Sequence, residues 1–585
     1  MTKLILIFIF LISYYDNLSP TIRYVSKTGS STPPYTSWLT ASDSIQKCIN
    51  ICQSGDTVYV ANGVYKEKIV MIPGLSLIGS GMDSCIIDTR DMSNKPDFYS
   101  ITIGDSCLFK YFKVTVAYQS ELYGLAAVCF DADALIEWNV FENSSDGIWL
   151  TNSNSIIKNC NFINIHTSFR INATNTNNDY KPIIEKNYLS NLGGNAFQVV
   201  FDIEPIIRNN IVYLASDYAK GFVGGLTDST ILLNNLFYSD LRPYTILGNS
   251  HNVKNIELNN ILIADYQREA IWAGNDNVIK NNIIMNGEKA FSISQNPPGQ
   301  QPIVQFNNIW NNRTASTQVI IDSTNISVNP MFEGEDSLNF YLQMFSPLID
   351  KGDPQILDKD SSRSDIGLYG GPFGIIYEYL DLPPSCPKGI VISSDTNYIT
   401  IKWNKNTEAD FSFYKLFGAT IDNFSADSSN LISSLTDTFY VHFIPTGTNK
   451  FYYKLSAVDN QGNESNLSVE VGIITSINEP SEIVQQYYLY QNYPNPFNPS
   501  TIISYVLKER GYVKLTIYDI KGEIIELLVN DFQERGYHEV EFSASNNRSA
   551  NTNKLASSIY LYRLDVKSEN NIPVFSEMRK MLLVK

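Results

Sequence analysis

The chain has 585 residues, 43% hydrophobic and 18% charged, which excludes an intrinsically disordered protein and allows a sizeable buried core. Its formal net charge of -17 argues against nucleic acid or an anionic membrane as the main partner, because both are bound through clustered Lys and Arg. Neutral glycans remain compatible, and an acidic glycan would need a bridging cation or a local basic groove.

The N-terminus, residues 1–19, reads as a signal peptide. Lys3 supplies the positive charge and Leu4 to Ile12 an unbroken apolar run, shorter than the roughly 20 residues of a membrane span. Ser13-Tyr14-Tyr15 is a poor cleavage motif, and no later segment is long enough to cross a bilayer as a helix. Ile45, Cys48, Ile49 and Cys52 then share one helical stripe that Ser42 or Asp43 can cap. The chain has seven cysteines and no CxxC pair. Cys85, Cys107 and Cys129 are evenly spaced and read as interior positions stacked on successive coils. Disulfides remain open in an exported chain, whereas a metal site built on these cysteines is disfavoured by the lack of paired His or Cys ligands.

The central stretch repeats itself. An apolar residue, a few polar ones, an Asn and two mostly apolar residues recur at Ile136 to Phe141, Ile184 to Leu189, Ile207 to Val212, Leu232 to Phe237 and Ile279 to Ile284. With Cys160 standing in once, a ladder runs through Asn139, Asn187, Asn210, Asn235, Asn260, Asn282 and Asn308, with a period of about 24 residues. That period fits one β-helix coil of three short strands. A leucine-rich repeat has a similar period but needs a regular Leu frame, which is missing. Asn tolerates the left-handed bend between strands, and stacked amides about 4.8 Å apart can bond from coil to coil. A second strand precedes each motif. Alternation puts Ile148, Phe169, Phe197, Phe222, Ile271 and Phe291 inside, and Trp149, Arg170, Gln198, Val223, Trp272 and Ser292 on the outer face, one per coil.

Residues 22 to 375 resemble the pectate-lyase-like superfamily of parallel β-helices. The opening (Ser44-Ile45-Gln46, then Gly55 to Val60 and Gly63 to Glu67) and the close (Ser346 to Gly352, then Ser364 to Gly370) carry the likeness beside the ladder. The resemblance implies an all-β chain, a right-handed parallel β-helix over residues 20–376 followed by two small β-sandwich domains. It leaves the activity open, since the superfamily holds lyases, hydrolases, esterases and non-catalytic proteins.

After Pro383-Pro384 the pattern changes. Ile399 to Trp403 and Phe451 to Val458 are strand-like, and residues 377–478 resemble a fibronectin type III-like sandwich with Trp403 and Tyr453 in its core. Residues 485–585 resemble the type A C-terminal sorting domain of the type IX secretion system. Gln491 to Pro499, Thr501 to Tyr505, Val513 to Gly522, Ile559 to Leu564 and Lys580 to Lys585 carry that likeness. Ser558 replaces the family's usual Gly, and Asn546 to Lys554 reads as a loosened loop. This resemblance implies the type IX secretion machinery as a partner and passage through the periplasm to the cell surface or the medium.

No HExxH, GxSxG, P-loop or adjacent Asp-Asp pair occurs, and the missing Asp-Asp pair and Gly-His-Gly disfavour the polygalacturonase-type hydrolases of this fold. A second Asn follows the ladder by four residues at Asn143, Asn164, Asn191, Asn286 and Asn312. Three middle coils lose it, at Leu214, Ser239 and Ala264. They are followed by Asp217, Tyr218 and Lys220, by Asp240 and Arg242, and by Asp265, Tyr266 and Arg268. A local break in a structural rule is where function is expected. On this reading Trp149, Gln198 and Trp272 contact a polysaccharide, and Arg170, Arg242 or Arg268 neutralises a uronate. Lys220 or an Arg takes the proton in β-elimination, and Tyr218 or Tyr266 protonates the leaving oxygen. Asp217, Asp240 and Asp265 could hold Ca²⁺ or form a hydrolase pair. The competing reading is that these are loop charges in surface ion pairs. Two functions stay open: a polysaccharide lyase or hydrolase, and a non-catalytic glycan-binding protein or adhesin.

Overall fold

The structure, a computed structural model, describes residues 19–583 except 93–97, 117–123, 175–178, 191–192, 202, 215, 217–218, 225–228, 240–244, 249–254, 265–268, 275, 294–300, 317, 336–337, 396–397, 445–449, 475–486, 493–494, 496, 545–554 and 571. The expected signal peptide, up to residue 18, and the loosened loop at 546–554 lie outside the described residues.

Short β-branched and aromatic runs wind into a parallel β-helix with three long faces. Among the described residues its first sheet has twelve strands, from Ile22–Val25 to Ile303–Gln305. The second has eleven, from Gly63–Tyr65 to Asn308–Trp310, and the third has ten, from Ile69–Val70 to Lys289–Ile293. Every strand pair within these sheets is parallel. In the third sheet Ile148, Phe169, Phe197, Phe222, Leu247, Ile271 and Phe291 stand in one register row, and all are fully buried, as alternation requires. Within the row Phe169 and Phe197 stack across neighbouring coils, 5.4 Å apart. The chain is all-β, and Ile45–Ile49 is its one helix among the described residues. That helix closes the end of the solenoid by burying Ile45, Cys48 and Ile49. Ser44, rather than Ser42 or Asp43, is its N-cap, accepting from Lys47 N. Ser42 is instead engaged in parallel pairing with Val25. Glu67 accepts from Ile45 N and Gln46 N at 2.8 and 2.9 Å, placing a carboxylate on the helix N-terminus.

The asparagine ladder exists and divides two tasks between neighbouring residues. The left-handed bend falls on the preceding residue, Trp138, Asn159, Lys186, Asn209, Asn234, Asn259, Asn281 and Phe306, with φ between 52° and 57°. The ladder residue turns its amide inward. The Nδ2 groups of Asn187, Asn210, Asn235, Asn260 and Asn282 each donate to the next Oδ1 at 3.0 Å. The last rungs are Asn307 and Asn325, not Asn308. Phe306 takes the bend there, so Asn308 begins the strand, opposite Ile283, and its side chain bonds Val328. The second asparagine row shifts likewise, with Asn311 rather than Asn312 donating to Asn286. All seven cysteines are free. Cys85, Cys107 and Cys129 are interior, but they sit in the second, first and third sheets and so do not stack on one another. Their even spacing is close to the coil length but drifts from one face to the next.

After the last coil the chain turns back over the solenoid. The hairpin of Phe332–Gly334 and Asn339–Leu342 packs Phe332, Phe340 and Leu342 with Leu348 and Ile366 onto Leu236, Ile261, Ile263, Ile283 and Met285 of the second sheet. Gly367, at φ 113°, lets the strap pass close to Ile283, where a β-carbon would collide. Among the described residues two antiparallel sandwiches of seven strands follow, each split three and four. The first runs from Val391–Asp395 to Val471–Ile474, with Trp403 and Tyr453 buried in its core as expected. The second runs from Tyr488–Leu489 to Pro573–Leu583.

Candidate functional site

The three faces of the solenoid differ in what they leave exposed. On the first sheet, Lys110, Glu137, Lys158, Glu185 and Arg208 form a register row of alternating charge. Within it Glu137 pairs with both lysines, at 3.7 and 3.5 Å, and Glu185 with Arg208 at 2.6 Å. Such pairs hold coils in register and leave little net charge for a ligand. On the second sheet, the returning strap buries the face over its later coils. The third sheet remains, and its outer row carries different chemistry.

That row runs Thr102, Val128, Trp149, Arg170, Gln198, Val223, Gly248, Trp272 and Ser292, each opposite the next. Trp149, Arg170, Gln198 and Trp272 therefore stand on one line along the solenoid, one per coil, all half-buried. Toward its early end the face is aromatic. Tyr99 meets Phe130 edge-on at 5.6 Å, and Phe130 meets Trp149 edge-on at 5.4 Å. Lys68 lies over Tyr99 at 5.7 Å. The indole N–H of Trp149 donates to Asn172 at 2.7 Å, and Thr151 donates to the same oxygen at 2.9 Å, which fixes the ring.

Arg170 is tied down. Its guanidinium lies 5.4 Å from the centre of the Trp149 ring and forks onto Asp146, with Nε donating at 3.1 Å and the ion pair closing at 3.0 Å. The Asp146 side chain is only 4% exposed. Burial pushes its carboxyl up from the usual range, and Arg170 opposes the shift. Arg170 thus positions Trp149 and neutralises Asp146, so its charge is already engaged.

Polar groups line the upstream edge of this face. Asp146 is opposite Thr167, Asn195 is opposite Lys220, and Glu269 is opposite Lys289, with an ion pair at 3.6 Å. Lys220 is half-buried there. Leu214, Ser239 and Ala264, which break the second asparagine row, are buried, and Ser239 donates to Leu214 O at 2.8 Å. None takes the left-handed bend of Asn143, Asn164, Asn286 and Asn311. The corner therefore changes conformation in these three coils. The residues that follow it, Asp217, Tyr218, Asp240, Arg242, Asp265, Tyr266 and Arg268, lie outside the described residues, as does Asn191. Asp146, Tyr99, Phe130 and Asn172 escaped the sequence reading. A period-two count outward from Trp149 would have found Asn172 and Phe130, whose rows are offset by two residues. Asp146 sits three residues upstream, beyond a break in the alternation.

No protein-family model matches the chain. It is similar to the amylopullulanase of Thermoanaerobacterium thermosulfurigenes, 24% identical over 218 residues, 37% of this chain and 10% of that protein. The amylopullulanase of Thermoanaerobacterium saccharolyticum is 24% identical over 220 residues, 37% of this chain and 16% of the relative. The chain thus spans a small fraction of these relatives' length. Among solved structures, the A-module of the mannuronan C-5 epimerase AlgE6 of Azotobacter vinelandii is 12% identical, with a TM-score of 0.29 over 49% of this chain and 94% of that one. Dimeric latent PorU of Porphyromonas gingivalis is 16% identical, with a TM-score of 0.16 over 34% of this chain and 20% of that one. These likenesses are slight and assign no family. Among the described residues no helix is long and apolar enough to cross a membrane.

Proposed function

We propose that this is an extracellular β-helix protein that holds a polysaccharide along its third sheet. The observation that carries the reading is the line of Tyr99, Phe130 and Trp149, with Trp149 locked by Asn172 and flanked by Arg170. Fixed, half-exposed aromatic rings offer sugar rings an apolar face, and polar neighbours offer bonds to hydroxyls. Spaced by one coil, they suit a linear chain lying along the solenoid axis. Trp149 and Trp272 act as platforms at two positions, with Gln198 between them as a hydrogen-bonding group.

A cleavage step, by β-elimination or hydrolysis, would belong at the upstream edge, where Lys220 stands opposite Asn195 and the three altered corners precede the acidic segments. Asp217, Asp240 and Asp265 are the carboxylates proposed there, for Ca²⁺ or as a catalytic pair, with Tyr218, Arg242 and Arg268 beside them. We take the segment at 377–478 as a fibronectin type III-like spacer and that at 485–585 as a type IX sorting domain. Both are supported by seven-stranded sandwiches in the expected places. The sorting domain would deliver the chain through the periplasm to the surface or the medium.

The test is to titrate the full chain against a panel of neutral and acidic polysaccharides, with W149A and W272A beside it, while following reducing ends and absorbance near 235 nm, an approximate marker of unsaturated uronates. Binding of a glycan that weakens at least ~10-fold in W149A supports the reading, since stacked aromatics commonly dominate a contact. Absence of binding to every glycan, or binding unchanged in both variants, would overturn it. Product formation would add the enzymatic step.

A further inference from the structure

We propose that the junction between the solenoid and the first sandwich binds one Ca²⁺ ion, held by Asp381, Asp410 and Asp459. The three side chains each place one carboxylate oxygen within 4.8 Å of the other two. Two ligands on one Ca²⁺ at about 2.4 Å can be no more than about 4.8 Å apart, so this spacing is that of donors sharing one ion. The donors are all hard oxygens, which selects calcium over zinc or copper.

A cluster of acids alone would not suffice, but Asp410 adds an independent feature. It is 6% exposed, and its Oδ1 is buried without a hydrogen-bond partner. A buried carboxylate in that state is costly unless a cation meets it. The charges acting on it aggravate the cost, since Asp459, Glu408 and Asp381 are all negative. The rest of the cluster is built. Asn463 donates its amide to both Asp381, at 2.9 Å, and Asp459, at 3.0 Å. The backbone N–H groups of Gln461 and Asn463 fix the other oxygen of Asp459 at 2.9 and 2.8 Å. The oxygens of Asp381 and Asp459 that accept from Asn463 each keep a second lone pair for a metal, while the other Asp459 oxygen, with two N–H donors, serves to fix the carboxylate.

The position gives the ion a task. Asp381 follows Leu380, whose carbonyl accepts from Met344 N at 2.9 Å, and Tyr379 donates to Asp365 at 2.8 Å, so Asp381 is anchored to the end of the solenoid. Asp410 opens the strand Phe411–Ala419, and Asp459 ends the strand Lys450–Asp459 of the sandwich. One ion bridging them clamps the sandwich to the solenoid, beside the contacts of Asn329 with Thr407 and Met331 with Ala409.

The experiment is calorimetric titration and thermal melting of the full chain with CaCl₂ alone, after chelation, for wild type, D410N, D381N and the exposed control D437N. Wild type and D437N should bind one ion more than D410N, and D381N should bind that ion at least ~10-fold more weakly, as loss of one charged ligand predicts. In chelator D410N should melt at or above the wild type, since it removes a buried negative charge one of whose oxygens has no partner. In millimolar Ca²⁺ the order should reverse. That melt also reports whether D410N folds. Equal stoichiometry in wild type and D410N overturns the proposal, as does a melting order that calcium leaves unchanged. A shift produced equally by MgCl₂ overturns the assignment to calcium.

Discussion

Truncating one rung of the ladder, Asn235→Ala, should cost far more than an average polar substitution. The Asn235 side chain donates to Ile207 O at 2.8 Å and to Asn260 Oδ1 at 3.0 Å, and it accepts from both the backbone N–H and the Nδ2 of Asn210 at 3.0 Å. Asn210, Asn235 and Asn260 are all fully buried, so water cannot replace the lost bonds. After truncation Asn260 Oδ1 still receives the Asn235 N–H, and Asn210 Nδ2 still reaches Ile184 O. The groups stripped outright are the Asn210 N–H and the bond to Ile207 O. At about 1–3 kcal/mol for each unmet buried group, plus a small cavity, the loss should be about 3–5 kcal/mol. The control is Asn164→Ala, whose exposed amide reaches Asn143 at 3.3 Å and whose φ of 53° alone should cost about 1–2 kcal/mol. Urea unfolding followed by circular dichroism gives both midpoints, compared directly because a solenoid need not unfold in two states. If Asn235→Ala is no more damaging than Asn164→Ala, the inward amides do not hold the coils together and the reasoning fails.

Cys160→Asn should be neutral or stabilising by about 1 kcal/mol. Cys160 occupies a rung with its N–H already on Asn187 Oδ1 and its Sγ 3.9 Å from Ile136 O, where other rungs place an amide; a lower unfolding midpoint would contradict this. Arg170→Ala should destabilise by about 2–3 kcal/mol at neutral pH, because it leaves a buried carboxylate unpaired. The Asp146 carboxyl is already raised in the folded state, so the loss should shrink as pH falls through its folded value, and an acid-insensitive loss would refute the pairing. Asp365 is pushed up to about 6 by burial. A folded value above the unfolded one of about 3.9 favours folding at low pH, and that contribution is lost as pH rises from about 4 to about 6, by at most about 3 kcal/mol. Asp365→Asn should flatten this part of the stability profile, read from urea midpoints at each pH, and an unchanged slope would place the titration elsewhere.

Much of the solenoid was legible because its signals are periodic. Alternation placed Phe169, Phe197 and Phe222 inside and Trp149, Arg170 and Gln198 outside, and the register confirms both rows. The ladder failed by one residue at Asn308, because two adjacent asparagines fit the motif equally and only the bend at Phe306 distinguishes them. The candidate site was less legible. Arg170 reads from sequence as an exposed cation, yet its role is set by Asp146 one coil away, and a cross-coil partner leaves no local trace. The cluster of Asp381, Asp410 and Asp459 was invisible for the same reason: its members come from a linker and from the ends of two strands far apart in the chain.

The doubled asparagines carry one more message, which physics explains better than the period does. The ladder needs only the second residue of each pair, as Trp138 and Lys186 show by taking the bend without an amide. Where the first residue is also Asn, its side chain points outward and meets the returning strap. Asn209 donates to Phe373 O, Asn234 to Leu368 O and Gly370 O, and Asn259 to Asp365 O, while Asn281 accepts from Asp353 N. The strap runs antiparallel to coil order, so the first of each doublet binds progressively earlier strap residues from Asn209 to Asn281. Asn159, which opens the Cys160 rung, is accounted for by its φ of 53° alone. A run of consecutive doublets therefore marks the coils whose corner is covered by the returning chain. That covering closes the second face there and, among the described residues, leaves the third sheet uncovered, with its aromatic and polar row free of the first sheet's alternating charge ladder.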